Sequence, residues 1–279
     1  MGSDQEKVAQ KVNEIISEMM NRVMERVLVA DPFVPEIHQS NKPLYAALVP
    51  DEIFKGSHFE RRFVTPFGSV WEKLTMAVAK EFHQNCTKGY TCEGTIGAES
   101  LRRIQEVLNK LEHNEGKGNR VKPNWKEELT YIIAGGGEPI PVSVVCDIYI
   151  ESKKDNLKYA FELKAPLPNS DQTKVSKEKM FKLLAMDQHL IDKAFFALPY
   201  NPYGTKENYN WPFPKRWFDM KNDESVLIGD EFWELIGGKG TYESFIKEVN
   251  LLGREYRERI YKEFLGIDPP DDFEDSILK

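Results

Sequence analysis

The sequence predicts a mixed α/β fold, in which a central mixed sheet of about four to five strands is flanked by helices, with extra helices at both ends. Three features of the chain support this prediction. Short segments rich in Ile, Val, Tyr and Phe occupy the middle of the chain, and turn residues separate them. Longer segments before and after them carry apolar residues at helical spacing.

The first part of the chain is predicted to be helical. Residues 5–29 carry apolar side chains at helical spacing, which is typical of an amphipathic helix that packs on the rest of the chain or on a partner. Pro32 ends this helix, and the prolines within residues 35–50 indicate a loop. Two more helices are predicted near residues 70–82 and 98–111.

The central part of the chain predicts the sheet. The segments 129–134, 142–150 and 157–164 are short and rich in β-branched and aromatic residues, which indicates three consecutive strands. A helix over residues 172–190 and a further strand over 194–198 follow. The predicted order is therefore helix, three strands, helix, strand.

The composition is that of a globular protein and limits its class. Of 279 residues, 41% are apolar and 30% are charged. No stretch reaches the roughly 18 consecutive apolar residues that span a bilayer, so we expect no membrane segment. The three cysteines form no CxxC pair, which favours a reducing compartment, the cytoplasm, and argues against structural zinc. The net charge of −7 argues against a protein that coats nucleic acid through a global positive field.

Two predicted strands carry charged residues that can meet on one face of the sheet. Asp147 interrupts an apolar strand, and Glu162 and Lys164 at the end of the next strand share a face because side chains alternate along a strand. If the strands are antiparallel neighbours, two carboxylates and an ammonium converge. Burying such charges is costly, and two carboxylates with open positions suit a hard divalent cation such as Mg²⁺. Lys164 is then placed to orient an attacking water or to help deprotonate it.

The Glu-x-Lys pattern occurs three times, and strand context selects one copy. Glu115 lies in a Gly-rich connector and Glu151 at a strand end, whereas Glu162 ends an apolar strand that follows the strand carrying Asp147. For an isolated Asp and Glu-x-Lys, a solvated surface is the default interpretation. The strand context favours a functional site instead.

This pattern resembles the PD-(D/E)XK superfamily of metal-dependent nucleases. The likeness rests on Asp147 followed by Glu162-x-Lys164 within the predicted order of elements, and Cys146 stands where the superfamily often has proline. The resemblance implies hydrolysis of phosphodiester bonds. It also implies Mg²⁺ held by Asp147, Glu162 and the Leu163 carbonyl, with Lys164 beside the nucleophilic water.

Segments 162–174 and 226–233 resemble type II restriction endonucleases in particular, with TdeIII-like enzymes that cut GGNCC-type sites as the nearest group. This resemblance implies sequence-specific cleavage of double-stranded DNA that leaves 5′-phosphates. Many members add an acid from a helix in a Gly-x-x-x-Glu arrangement, which Gly68 and Glu72 match. An exposed helix glutamate is the alternative interpretation of Glu72.

The start of the helix that follows Lys164 is expected to contact DNA. Over residues 164–182, five lysines stand against two acids, which gives a local positive patch that the net charge conceals. Capping of the helix by Ser170 or Asp171 is the alternative role for polar residues at this position. The candidates for contacts with phosphates or base edges are Asn169, Ser170, Gln172, Lys174 and Lys177.

A type II restriction endonuclease implies a homodimer, because a two-fold symmetric DNA site is matched by a two-fold symmetric protein. The apolar helix over residues 5–29 is the candidate for part of the interface. The resemblance also implies the cytoplasm of a prokaryote and a cognate DNA methyltransferase as a functional rather than physical partner. Two rival functions stay open, a structure-specific repair or junction nuclease of the same superfamily and a non-catalytic DNA- or partner-binding module.

We expect a single domain over residues 1–279, since no clear linker divides the chain. An aromatic and Pro-rich loop, a short strand from Val226 and helices at 230–236 and 242–264 follow the predicted sheet. The domain then has three parts, a helical and dimerisation segment (1–58), a catalytic core (59–238), and a closing helix with an acidic tail (239–279).

Overall fold

The computed structural model describes residues 2–113 and 121–270. The acidic tail beyond residue 270 and the Gly-rich connector that contains Glu115 lie outside the described residues. In the described part of the chain, no helix combines the length and the apolar character needed to cross a membrane.

The chain divides into two compact units. The first unit combines Met1–Leu74 with Glu243–Lys279, and the second unit is Thr75–Tyr242. The single domain expected from the sequence, with boundaries between its parts after residues 58 and 238, stays a prediction.

Most of the first unit is helical, and the second unit has its own helices beside the sheet. Two of them continue as π-helical turns, Arg26–Ala30 after α1 and Ile260–Leu265 after α9. The α-helices in chain order are α1 (Gly2–Glu25), α2 (Pro35–Asn41), α3 (Pro43–Leu48), α4 (Asp51–Phe82), α5 (Ala98–Glu112), α6 (Trp125–Ile133), α7 (Ser170–Leu184), α8 (Asp230–Gly237) and α9 (Thr241–Arg259).

The second unit contains one five-stranded mixed sheet with the strand order β1-β2-β3-β4-β5. The first three strands are antiparallel neighbours, whereas β4 pairs in parallel with β3 and with β5. This sheet with its flanking helices confirms the predicted mixed α/β fold. The strands are β1 (Asn85–Gly97), β2 (Pro139–Glu151), β3 (Lys158–Leu163), β4 (Lys193–Leu198) and β5 (Val226–Ile228).

The first strand of the sheet is not the predicted one. Residues 129–134 belong mostly to helix α6, which begins where the Asn124 side chain accepts a hydrogen bond from the Glu127 backbone N–H. This N-cap outweighs the β propensity of the Thr-Tyr-Ile-Ile run. The edge strand is β1 instead, whose buried Cys92 and Ile96 lie among polar residues that weakened its hydrophobic signal.

The predicted loop over residues 35–50 contains two short helices. Pro35 begins α2 and Pro43 begins α3. Proline is tolerated at the first helical position because the backbone N–H that it lacks has no partner within the helix there. The prolines therefore start helices in this segment, where the sequence suggested that they prevent them.

Helix α1 buries its apolar face inside the first unit. Val23 and Val27 form a buried cluster with Phe264, next to the C-terminal π-helical turn. The hydroxyl of Tyr256 donates to the Ser17 carbonyl at 3.1 Å, which ties α9 to α1. The apolar stripe that the sequence analysis offered as a dimer interface is thus used within the chain.

Candidate active site

The charged residues on β2 and β3 meet because of the strand register. Ile148 pairs with Phe161 in the antiparallel β2–β3 ladder, so Asp147 and Glu162 come next to each other one residue further along. Leu163 donates its backbone N–H to Asp147 Oδ2 at 2.9 Å. The structure therefore brings the predicted acids together.

The ammonium of Lys164 lies at the centre of the cluster. Its Nζ donates to Asp147 Oδ2 at 2.6 Å, to the Leu163 carbonyl at 3.2 Å and to Glu162 Oε2 at 3.4 Å. One cation thus contacts two carboxylates and a backbone carbonyl at once. These are the oxygens that the resemblance named as metal ligands.

A second lysine, Lys179 of helix α7, also reaches both carboxylates. Its Nζ lies 3.7 Å from Asp147 Oδ1 and forms a close ion pair with Glu162 Oε1. Ser176, three residues earlier on α7, donates its hydroxyl to Glu162 Oε2 at 3.4 Å. Sequence reasoning did not place Lys179 in the site; its i, i+3 spacing from Ser176 on the helix after β3 was the available signal.

Burial sets the electrostatics of this cluster. The Glu162 side chain is 2% exposed, and burial followed by repulsion from Asp147 raises the pKa of Glu162, while the two lysines oppose that rise. Burial alone would lower the pKa of Lys164, but attraction to Glu162 and Asp147 outweighs burial and raises it. Lys164 is therefore an ammonium in the metal-free site, which suits orienting a water or a phosphate oxygen better than accepting a proton.

The donor set fits a divalent cation. Magnesium is usually held by one or two carboxylates and completes its octahedral shell with waters and substrate phosphate. Within residues 2–113 and 121–270, no group of three or more His, Cys, Asp or Glu side chains is arranged for a metal. Two carboxylates and the Leu163 carbonyl already converge on the Lys164 ammonium, so they can hold a cation that keeps open positions.

Comparison with known proteins decides the family. A model of the HinfI family of type II restriction endonucleases matches residues 8–253 of this chain, which include all of β2, β3 and α7. The chain belongs to the HinfI family of type II restriction endonucleases. Enzymes of this kind generally use a divalent metal ion.

Two similar proteins come from Herpetosiphon aurantiacus. The type II restriction enzyme HgiCII is 27% identical over 227 residues, which cover 80% of this chain and 82% of HgiCII. The type II restriction enzyme HgiEI is 26% identical over 235 residues, with the same two coverages of 80% and 82%. As a member of the HinfI family, this chain is a site-specific endodeoxyribonuclease that acts on double-stranded DNA. The narrower likeness to TdeIII-like enzymes stays a prediction.

Helix α4 carries Glu72, the third acid suggested for this HinfI-family member. Glu72 lies within the first unit, whereas Asp147, Glu162 and Lys164 lie within the second. A role for Glu72 in the site stays a prediction.

The polar residues expected to contact DNA lie at the start of α7, and two of them have structural partners. Asn169 is the N-cap, since its Oδ1 accepts a hydrogen bond from the Gln172 backbone N–H at 2.8 Å. Ser170 Oγ accepts from Trp217 Nε1 at 3.0 Å. The capping residue is therefore Asn169, where the sequence analysis suggested Ser170 or Asp171.

Replacing Asn169 with alanine should lower the free energy of unfolding by about 1 kcal/mol, the usual loss when an N-cap side chain is removed. Urea unfolding followed by circular dichroism measures the change. Asp171→Ala is the matched control and should have the smaller effect. A larger loss for Asp171→Ala than for Asn169→Ala would contradict the observed cap.

The two lysines among the expected DNA contacts lie in different surroundings. Lys174 is partly exposed and pairs with Glu112 at 2.5 Å. Lys177, by contrast, is fully buried, with its Nζ 2.5 Å from Glu128 Oε2 and hydrogen-bonded to the Trp217 carbonyl. The expected DNA contact by Lys177 is not compatible with this burial, so Lys177 is left out of the DNA surface proposed below.

Proposed function

We propose that this enzyme hydrolyses both strands of a specific DNA sequence, with Mg²⁺ held by Asp147, Glu162 and the Leu163 carbonyl beside Lys164, and leaves 5′-phosphates. The contact of Lys164 Nζ with both carboxylates and the Leu163 carbonyl supports this assignment most strongly. At this contact, several oxygen ligands converge on the positive charge of a lysine. That combination is suited to metal-assisted cleavage of a phosphodiester.

Each residue then has a distinct task. The Asp147 and Glu162 carboxylates and the Leu163 carbonyl hold the metal, which when bound acts as a Lewis acid and lowers the pKa of a coordinated water. Lys164 keeps its positive charge beside the reacting groups. From there it orients the attacking water and stabilises the negative charge that develops on the phosphate oxygens.

The proposal is tested by incubating the purified protein with several phage and plasmid DNAs in Mg²⁺, Ca²⁺ or EDTA, followed by gel electrophoresis. Discrete, reproducible fragments in Mg²⁺ alone are expected, and labelling of the fragment ends should reveal 5′-phosphates. Fragments that depend on DNA structure instead of sequence would indicate the repair or junction nuclease. Binding without cleavage on every DNA would indicate the non-catalytic module.

The N-terminal turn of α7 is the proposed surface for DNA. Gln172 is exposed there, and Lys174 is partly exposed. Exposed amide groups can reach phosphates or base edges, and the N-terminus of a helix favours anions. Asn169 and Ser170 complete this surface, although each also has the structural contact described above.

We propose a homodimer, since cleavage of two strands at a symmetric site is matched by two copies of the active site. The buried apolar face of α1 is not available for the contact. Large apolar side chains are exposed elsewhere in the expected dimerisation segment, and contiguous apolar patches on a surface mark interaction sites. They are Val29, Ile37, Leu44, Tyr45, Leu48 and Ile53.

Leu44 and Leu48 are the best places to test this interface. They are 70% and 74% exposed and lie one turn apart on α3, so they share a face. The double variant Leu44→Glu/Leu48→Glu should weaken dimerisation by about 100-fold, or about 3 kcal/mol, because carboxylates would have to be buried. Sedimentation velocity measures this, with the exposed Ile133→Glu as control. A dimer unchanged in the double variant would place the interface elsewhere.

A restriction enzyme in a prokaryotic cytoplasm requires protection of the host DNA. We therefore also propose a cognate DNA methyltransferase with the same recognition sequence. It acts as a functional partner that modifies the same DNA and forms no complex with this chain.

A further inference from the structure

Two lysines, not one, neutralise the carboxylates of the candidate site, and they use different oxygens. Lys164 contacts Asp147 Oδ2 and Glu162 Oε2, whereas Lys179 contacts Asp147 Oδ1 and Glu162 Oε1. Each lysine therefore bridges the two acids. The four carboxylate oxygens are divided evenly between the two ammonium groups.

The two sides of this cluster are not equivalent. The Leu163 carbonyl is on the Lys164 side, where its oxygen lies 3.2 Å from Lys164 Nζ. The oxygens proposed to hold the metal are therefore those that Lys164 contacts now. The oxygens that Lys179 contacts are outside this set. Lys179 can therefore keep both ion pairs if a metal ion replaces the Lys164 ammonium at Asp147 Oδ2 and Glu162 Oε2.

We propose that Lys179 is a positioning residue that holds Asp147 Oδ1 and Glu162 Oε1, so that Oδ2 and Oε2 stay directed toward the metal. The inference rests on the proposed function of the Asp147–Glu162 pair. Two adjacent carboxylates repel each other, and Glu162 is almost completely buried, so the pair needs a fixed positive partner. Lys179 provides it from α7, whose backbone packs on β2 and β3.

The inference is tested by titrating the DNA-free protein with Mn²⁺ and measuring free Mn²⁺ by electron paramagnetic resonance. Groups that orient metal ligands typically contribute about 10- to 100-fold to metal affinity. Lys179→Met should therefore weaken Mn²⁺ binding by about 10- to 100-fold, and Lys179→Arg, which keeps the charge and the donors, should restore most of the affinity. Lys262→Met, which breaks an exposed ion pair with Glu258, is the matched control and should bind as the wild type.

Each alternative result overturns the inference. Tighter Mn²⁺ binding by Lys179→Met would mean that Lys179 only competes with the metal for the carboxylates. Unchanged binding would mean that it does not orient them. Thermal melting checks the fold, and Lys179→Gln, which keeps a donor group, takes the place of Lys179→Met if that variant does not fold.

Asp147→Asn separates this inference from the proposed function on which it rests. If Asp147→Asn binds Mn²⁺ as the wild type does, or if the wild type binds none, the proposed metal site itself is wrong. If Asp147→Asn loses binding while Lys179→Met keeps wild-type affinity, the metal site stands and the role of Lys179 alone is refuted.

Discussion

Asp147→Ala and Glu162→Ala are each expected to abolish DNA cleavage, with rates at least about 1,000-fold below wild type, which corresponds to about 4 kcal/mol of transition-state stabilisation. Each substitution removes one of the two carboxylates proposed to hold the metal beside Lys164. Without a bound metal ion, the site would lack the Lewis acid that activates the attacking water. The isosteric changes Asp147→Asn and Glu162→Gln should have the same effect without leaving a cavity.

Single-turnover cleavage of a mapped DNA site measures this loss. Binding of the same DNA in Ca²⁺, followed by fluorescence anisotropy, is the control and should persist in all four variants because the proposed DNA surface at α7 is unchanged. Near-normal turnover in any of the four would refute the assigned mechanism. Loss of DNA binding together with cleavage would instead place these acids in DNA recognition.

Lys177→Met is expected to lower the free energy of unfolding by about 3–5 kcal/mol, since removing one partner of a buried ion pair leaves the other charge uncompensated. Lys177 is 0% exposed, and burial lowers the pKa of its ammonium against the opposing attraction of Glu128. The substitution would also leave the Trp217 carbonyl without its donor. The ring of Phe218, with its centroid 4.9 Å from Lys177 Nζ, would lose a cation–π contact.

A double-mutant cycle in urea separates the ion pair from simple packing. Glu128→Leu added to Lys177→Met removes the uncompensated carboxylate, so the double variant should recover part of the lost stability. Equal stability of Lys177→Met and wild type would show that the pair does not contribute. A double variant less stable than Lys177→Met would show that Glu128 acts through other contacts.

The sequence predicts the sheet where the local pattern and the tertiary structure agree. The apolar runs of β3, β4 and residues 148–150 of β2 are visible because these stretches are buried on both sides. The sequence analysis missed β1 and predicted a strand within α6, and the reason is where each element begins and lies in the fold. β1 is an edge strand with mostly polar residues, whereas the Ile and Tyr residues of α6 look like a strand until the Asn124 cap is considered.

In the candidate active site, too, the local pattern predicts some positions and tertiary packing alone decides others. Glu162 and Lys164 share a face by the two-residue period of any strand, so their meeting with Asp147 requires only the antiparallel register. Lys177 and Lys179 are two residues apart on α7, and a helix turns about 200° over that step. One therefore reaches the aromatic core and the other the carboxylates. Only the packing of α7 on the sheet decides which lysine faces which side.

The location of the metal is the central claim, and iron-promoted cleavage of the protein backbone tests it most directly. Fe²⁺ bound in place of Mg²⁺, with ascorbate and peroxide, generates hydroxyl radicals that cut the nearest peptide bonds, and mass spectrometry maps the cuts. We expect cuts in β2 around Asp147 and in β3 around Glu162 and Leu163, suppressed by excess Mg²⁺ and absent in Asp147→Asn. Mg²⁺-sensitive cuts confined to other segments, or cuts unchanged in Asp147→Asn, would contradict the proposed site.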